Sequence, residues 1–200
     1  MARQLHNNTG ELELVKASKS FTQPIVVRTR RAYFDCKFGQ LHVRTAFPTT
    51  GGFDEQVTLI CLHPIDGSSR SFGRLLPELA DTRSVYAPDL PGYGESDPSP
   101  ARSIAEAATA VSDLANDLRL RQIDLLGIHY GAGVALELAA ARPELVRKLV
   151  LAGVAAADRV NLVKQQRLMI NSADYGDDFD AAAPTLAKQI SAFLRSHASA

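Results

Sequence analysis

The stretch Gly127-Ile128-His129-Tyr130-Gly131 decides the fold of this chain. A predicted buried strand, Ile123–Ile128, leads into it, and an alanine- and leucine-rich segment follows to Ala141. A strand that reverses sharply into a helix pushes its central residue toward positive φ, a conformation that histidine tolerates better than most residues. Flanking glycines allow strand and helix to pack closely. The sequence therefore predicts a strand–turn–helix unit with His129 at the turn.

Strands and helices alternate along the chain on both sides of this unit. Arg31–Phe38 and Leu41–Phe47 form a predicted hairpin, and the continuous apolar run Val57–Leu62 is typical of a strand buried on both faces. This order predicts a doubly wound, mostly parallel α/β sheet opened by an antiparallel hairpin. Further predicted strands are 85–87, 149–152 and 168–170, and predicted helices are 71–80, 103–118, 133–141 and 181–196.

The composition is that of a globular protein without an unusual partner. The chain has 200 residues, 46% of them apolar, and a formal net charge of +0. This balance predicts no nucleic-acid or membrane partner. The first ten residues lack the apolar segment of a signal peptide, so we expect a cytoplasmic protein. Residues 1–30 are interpreted as an extension and 31–200 as a single domain, with Cys36 and Cys61 as small buried residues.

Three loops, each at the end of a predicted strand, resemble those of the α/β-hydrolase family. They are Leu62–Ser69 (LHPIDGSS), Ala87–Ser96 (APDLPGYGES) and Asp124–Gly133 (DLLGIHYGAG). The resemblance covers roughly residues 31–153 and implies the α/β-hydrolase fold. It also implies that His129 occupies the position of the nucleophilic serine, so that Gly-x-His-x-Gly replaces Gly-x-Ser-x-Gly.

The same resemblance implies roles for the residues around the turn. The amides of Tyr130 and Ile65 would stabilise an oxyanion, and His63 would order the loop that carries Ile65. The residue before Ile65 is Pro64, which has no N–H to donate.

The rest of the catalytic machinery departs from the family's pattern. Asp174 is the candidate acid after the last predicted strand, although the family's usual acid falls one place later, at Tyr175. No histidine lies between His129 and His197, so the family's second catalytic histidine has no counterpart. The helical lid and strand 8 of the family are predicted to be missing.

Two functions remain open at this point. One is a hydrolase of a small ester, lactone or similar acyl substrate, with His129 as nucleophile or base. The other is a catalytically silent binding or structural protein that retains the pocket. Two histidines with Asp66 or Asp89 would suit zinc or iron, but their spacing is not a local metal motif, so no metal or other cofactor is predicted. An uncovered sheet edge makes a homodimer an expectation.

Overall fold

The structure is a computed structural model that describes residues 27–49, 56–99, 103–154, 164–176 and 178–196. These residues form one seven-stranded sheet in the order β1-β2-β4-β3-β5-β6-β7. β1 and β2 form the predicted hairpin, β2 pairs antiparallel with β4, and the remaining neighbours are parallel. The strands are β1 (Arg30–Cys36), β2 (Gly39–Ala46), β3 (Thr58–Leu62), β4 (Val85–Pro88), β5 (Ile123–Ile128), β6 (Val146–Ala152) and β7 (Gln166–Ile170).

Helices cover both faces of the sheet. They are α1 (Leu75–Leu79), α2 (Ile104–Asp117), α3 (Tyr130–Ala141) and α4 (Ala183–Arg195). Buried residues of α2 and α3 share one apolar cluster, whereas those of α1 and α4 share a second cluster on the opposite face. β3 and β5 are buried along their whole length between these layers, as their mostly apolar sequences predict. The doubly wound α/β-hydrolase fold is thus confirmed.

The strand register brings the site residues to one edge of the sheet. Leu62 of β3 pairs with Gly127 of β5, and Ile128 of β5 pairs with Ala152 of β6. Ala152 in turn pairs with Ile170 of β7. The residues that follow these parallel strands therefore emerge side by side at their carboxyl ends, which is where open α/β sheets bind ligands.

Several predicted boundaries were wrong. The helix expected at 71–80 is a 3₁₀ turn (Ser69–Phe72) followed by the short α1, and α3 begins three residues earlier than expected. β6 begins at Val146 instead of residue 149. β1 starts at Arg30, so the strand reaches into the predicted extension, while residues 1–26 lie outside the described residues.

Other expectations concern what lies around the sheet. Residues 153–165 connect β6 to β7, and 155–163 of them lie outside the described residues, as does His197. No strand follows β7 in the part of the chain that is described. No described helix is long and apolar enough to cross a membrane. Cys61 is fully buried, as expected, and burial raises the pKa of its thiol, whereas Cys36 is only half-buried.

Candidate active site

His129 lies at the turn between β5 and α3. Its backbone has φ 49° and ψ −106°, the positive φ that the sequence predicts. A side chain at Gly131 would place Cβ 2.1 Å from the Leu62 carbonyl oxygen, and one at Gly127 would meet Gly131 O at 2.4 Å. Only glycine allows such close approach of β3, β5 and α3. The two glycines therefore allow the sharp turn that places His129 at the end of the sheet.

The imidazole of His129 is held by two partners. Nδ1 lies 3.0 Å from the carbonyl oxygen of Gly153, and Nε2 lies 3.4 Å from the hydroxyl of Tyr175. Because a carbonyl oxygen only accepts, Nδ1 carries the proton and donates it to Gly153. Nε2 of the neutral ring then carries the lone pair and accepts a hydrogen bond from Tyr175. The nitrogen that can act as nucleophile or base is thus defined.

Gly153 makes room for the imidazole. Its φ is +65°, and an added Cβ would lie 2.2 Å from His129 Cε1 and 2.8 Å from the Tyr175 hydroxyl. Any larger residue would push the ring out of this position. Gly153 was not among the predicted site residues, and the signal for it is a glycine directly after the predicted strand that ends at Ala152.

Two small cavities meet at His129. One, of about 240 Å³, is lined by Val154, Met169, Ile170 and the polar residues Asn171 and Ser172. The other, of about 180 Å³, lies toward Pro64 and Phe179. Both are smaller than a typical pocket for a drug-sized ligand, which is about 300 Å³ or more. The His129 side chain is exposed to solvent at their junction.

Asp174, the predicted acid, is hydrogen-bonded within its own turn. Its carboxylate accepts a hydrogen bond from Asn171 N at 3.0 Å and forms a capping box around the 3₁₀ turn Ser172–Asp174. No hydrogen bond among the described residues joins it to His129. The residue that contacts the imidazole is the next one in the chain, Tyr175. The centroid of its ring lies 5.0 Å from that of Phe179.

His63 is buried and bridges two loops. Its Nδ1 donates to the carbonyl oxygen of Pro64 at 2.8 Å, and Leu90 N donates to its Nε2 at 2.9 Å. Burial lowers the pKa of His63, in keeping with a neutral ring. Both nitrogens are occupied by backbone groups, so His63 orders the loop after β3 and offers no free nitrogen to a metal. Among the described residues, no group of three or more His, Cys, Asp or Glu is placed to hold a metal.

Asp89 ties the loop after β4 to its surroundings. Its carboxylate accepts from Ser69 N at 2.6 Å, from Glu95 N at 2.8 Å and from His42 Nδ1 at 2.9 Å. Burial raises the pKa of Asp89, but the hydrogen bonds from the Glu95 and Ser69 amides outweigh it and hold the pKa below its usual range. Asp89 is therefore a structural residue, and so is its partner His42, which is buried on β2.

Each residue of the predicted oxyanion site directly follows a residue that lines the second cavity. Tyr130 is the first residue of α3 and directly follows His129. Ile65 lies in a turn closed by the hydrogen bond from Gly67 N to Pro64 O at 3.0 Å, and its side chain is 58% exposed. Pro64 itself lines the second cavity with His129.

Comparison with known proteins gives the family context. A model of the α/β hydrolase fold matches residues 57–199. The 2-hydroxymuconate semialdehyde hydrolase of Pseudomonas sp. (strain CF600) is 43% identical over 86 residues, which cover 40% of this chain and 29% of that protein. The pimeloyl-[acyl-carrier protein] methyl ester esterase of Neisseria meningitidis serogroup C is 33% identical over 137 residues, covering 68% of this chain and 47% of the esterase.

A crystal structure of the N-acyl homoserine lactonase AidH with N-hexanoyl homoserine lactone is similar in fold. It superposes with a TM-score of 0.55 at 25% identity and covers 62% of this chain and 45% of that one. The chain thus spans less than half the length of each of these three proteins. The family match, which extends over most of the sheet and through α4, is consistent with the observed topology. The chain belongs to the α/β-hydrolase fold family.

Proposed function

We propose that this protein hydrolyses a small ester, lactone or similar acyl substrate, with Nε2 of His129 as the nucleophile or base. The observation that carries the proposal is the position of the imidazole. Its Nδ1 proton is held by Gly153 O, while Nε2 faces Tyr175 at the junction of two cavities. A neutral imidazole nitrogen is both nucleophilic and basic near neutral pH. The 33%-identical esterase and the lactonase act, by their names, on acyl substrates of this kind.

The backbone around His129 supports the same chemistry. The Tyr130 amide belongs to the first turn of α3, where the positive end of the helix dipole favours a developing oxyanion. The Ile65 amide is the proposed second donor, since the turn that contains it borders the cavity at Pro64. The size of both cavities favours small acyl and leaving groups.

Hydrolysis of p-nitrophenyl butyrate by the wild type and His129→Ala tests this function. The variant should lose about 100-fold or more in kcat/KM, the usual contribution of a positioned acid–base or nucleophilic side chain. Tyr33→Phe is the matched control, because Tyr33 is 54% exposed on β1, at the far edge of the sheet. Wild type and His129→Ala at the same background rate would contradict the proposal.

A catalytically silent protein is the second candidate. The observation that favours it is that no carboxylate of the described residues hydrogen-bonds to His129, which is itself exposed. Mass spectrometry of the protein after brief exposure to p-nitrophenyl butyrate separates the two functions. A butyryl adduct on a peptide that contains His129 would exclude the silent protein, and equal background labelling of all histidines would favour it.

A further inference from the structure

Tyr175 is the only described side chain that hydrogen-bonds to His129. Its hydroxyl lies 3.4 Å from Nε2, a distance typical of a catalytic contact that tightens when substrate binds. The Gly153 carbonyl fixes the proton on Nδ1, so the tyrosine is the donor in this contact. A proton donor therefore stands beside the nitrogen that the proposed function uses.

The packing of the ring holds the hydroxyl in place. The Tyr175 ring meets Phe179 at 5.0 Å and 69°, and Phe179 in turn packs edge-on against Phe72 at 6.5 Å. The hydroxyl also lies against Gly153, where an added Cβ would come within 2.8 Å of it. Burial raises the pKa of Tyr175, so its hydroxyl keeps its proton at neutral and mildly alkaline pH. The group is thus a fixed, protonated donor.

From this arrangement we propose that Tyr175 is a catalytic residue, the general acid that protonates the leaving oxygen. This inference rests on the proposed function. When Nε2 bonds to the acyl carbon, the leaving oxygen is attached to the same carbon and comes within reach of a hydroxyl already 3.4 Å from Nε2. Tyr175 therefore serves substrates whose leaving group is a poor one, such as an alkyl ester.

The steps balance. Nε2 forms a bond to the acyl carbon, the carbon–oxygen bond to the leaving group breaks, and the departing alkoxide takes the Tyr175 proton. An acyl-imidazolium and a phenolate remain side by side, and their charges cancel. Water then adds to the acyl carbon and gives one proton to the phenolate, the carbon–nitrogen bond breaks, and the carboxylic acid leaves. His129 returns to its neutral form with the proton on Nδ1.

Two esters with one acyl group test the role of Tyr175. Tyr175→Phe keeps the ring on Phe179 and removes only the hydroxyl, so the fold should be unchanged, as thermal unfolding can verify. We expect kcat for ethyl butyrate to fall by about 100-fold or more. Hydrolysis of p-nitrophenyl butyrate, whose leaving group departs without protonation, should fall much less, so that the ratio of the ethyl to the p-nitrophenyl rate drops by at least about tenfold. Tyr33→Phe should match the wild type on both esters.

The outcomes separate this inference from the function on which it rests. Hydrolysis of p-nitrophenyl butyrate that depends on His129, together with equal effects of Tyr175→Phe on both esters, would overturn the role of Tyr175 and leave the function standing. The same holds if the wild type hydrolyses only the p-nitrophenyl ester, because a general acid has then no substrate to serve. If the wild type shows no hydrolysis that depends on His129, both the proposed function and the role of Tyr175 are overturned.

Discussion

His63 and His129 show how the surroundings of a side chain decide its use. Both follow directly after central parallel strands, at the same edge of the sheet. His63 is fully buried, and backbone groups occupy both of its nitrogens. His129 is exposed and has one nitrogen on a backbone carbonyl and the other beside Tyr175. The same residue type is therefore a structural bridge in one place and a candidate nucleophile in the other.

The pH dependence of stability should report the burial of His63. Its pKa is lowered in the folded protein, while the unfolded chain has the ordinary value of about 6.5. Below about pH 6.5 the unfolded state therefore binds more protons than the folded state. The free energy of unfolding decreases as the pH is lowered from there to the pKa of His63 in the folded protein. We expect urea unfolding to show lower stability at pH 5 than at pH 7. Asp89 stays ionised over this range because its pKa is lowered.

His63→Gln is the variant that isolates this effect. Glutamine does not titrate, so the loss of stability between pH 7 and pH 5 should shrink. At pH 7 the variant should be less stable by about 1–3 kcal/mol, because the Leu90 amide loses a well-placed acceptor. A variant that loses as much stability on acidification as the wild type would show that another group causes the slope.

At the residue scale, the sequence predicted the turn at His129 but not its partner. The positive φ followed from the two glycines and the flanking strand and helix. Asp174 and Tyr175 are consecutive residues at the end of a 3₁₀ turn, so their side chains point in different directions. Apolar periodicity does not predict which of the two faces His129. Asn171 and Asp174 form a local capping box, and the Asn-x-x-Asp spacing is the sequence signal from which this role could have been predicted.

At the scale of elements, continuous apolar runs predicted the central strands well. β3 and β5 match their predicted ranges within one residue, because burial on both faces leaves mostly apolar sequences. The one charged residue in them, Asp124 of β5, is buried in ion pairs with Arg83 and Arg147. The helix after β3 was predicted poorly. α1 begins where the carboxylate of Asp180 accepts from Arg74 N at 2.8 Å and from Leu75 N at 3.1 Å. A cap supplied from more than 100 residues away leaves no local pattern.

The close approach of α3 to β3 gives a prediction with a matched control two residues away. Gly131→Ala would place Cβ 2.1 Å from the Leu62 carbonyl oxygen, a backbone atom that cannot move alone. We expect it to lower the free energy of unfolding by about 2–3 kcal/mol or more. Gly133→Ala meets only the flexible end of Ile104 at 3.1 Å and gains about 1 kcal/mol in helix propensity.

Urea unfolding of the two variants measures this difference. The free energy of unfolding of Gly133→Ala should lie within about 1 kcal/mol of the wild-type value, because the gain in helix propensity and the crowding against Ile104 offset each other. If Gly131→Ala were as stable as Gly133→Ala, the close packing of strand and helix would not be what requires glycine at the turn.

At the scale of the whole molecule, the C-terminal part of the chain is built into the sheet that carries His129. β7 pairs along β6, and α4 shares an apolar cluster with α1. Between β7 and α4 lies Tyr175, so this part supplies the only described side chain that hydrogen-bonds to the imidazole. The resemblance that identified the fold was strong only to about residue 153. The attachment of the remainder depends on long-range contacts that no sequence motif marks.

Lys148 makes one of these attachments and can be tested alone. Its buried ammonium donates to the carbonyl oxygens of Phe193 at 2.8 Å and Leu194 at 3.4 Å and to Ser196, at the carboxyl end of α4. A cation there complements the helix dipole. Lys148→Met keeps much of the volume but removes the cation, while Phe193 O still accepts from Ser196 and Leu194 O from Arg147. We expect a loss of about 1–3 kcal/mol in the free energy of unfolding.

Hydrogen exchange shows which part of the protein loses stability. In Lys148→Met the exchange of amides should become faster in α4 than in α2 and α3. The control is Lys188→Met, since Lys188 is exposed on α4 itself and its loss removes a charge without touching the helix end. If both variants exchanged alike, burial of the apolar face of α4 alone would hold it on the sheet. If exchange in α4 becomes faster only in Lys148→Met, the ammonium of Lys148 holds the carboxyl end of α4 in place. It then also helps to attach the C-terminal part of the chain, in which Tyr175 lies between β7 and α4.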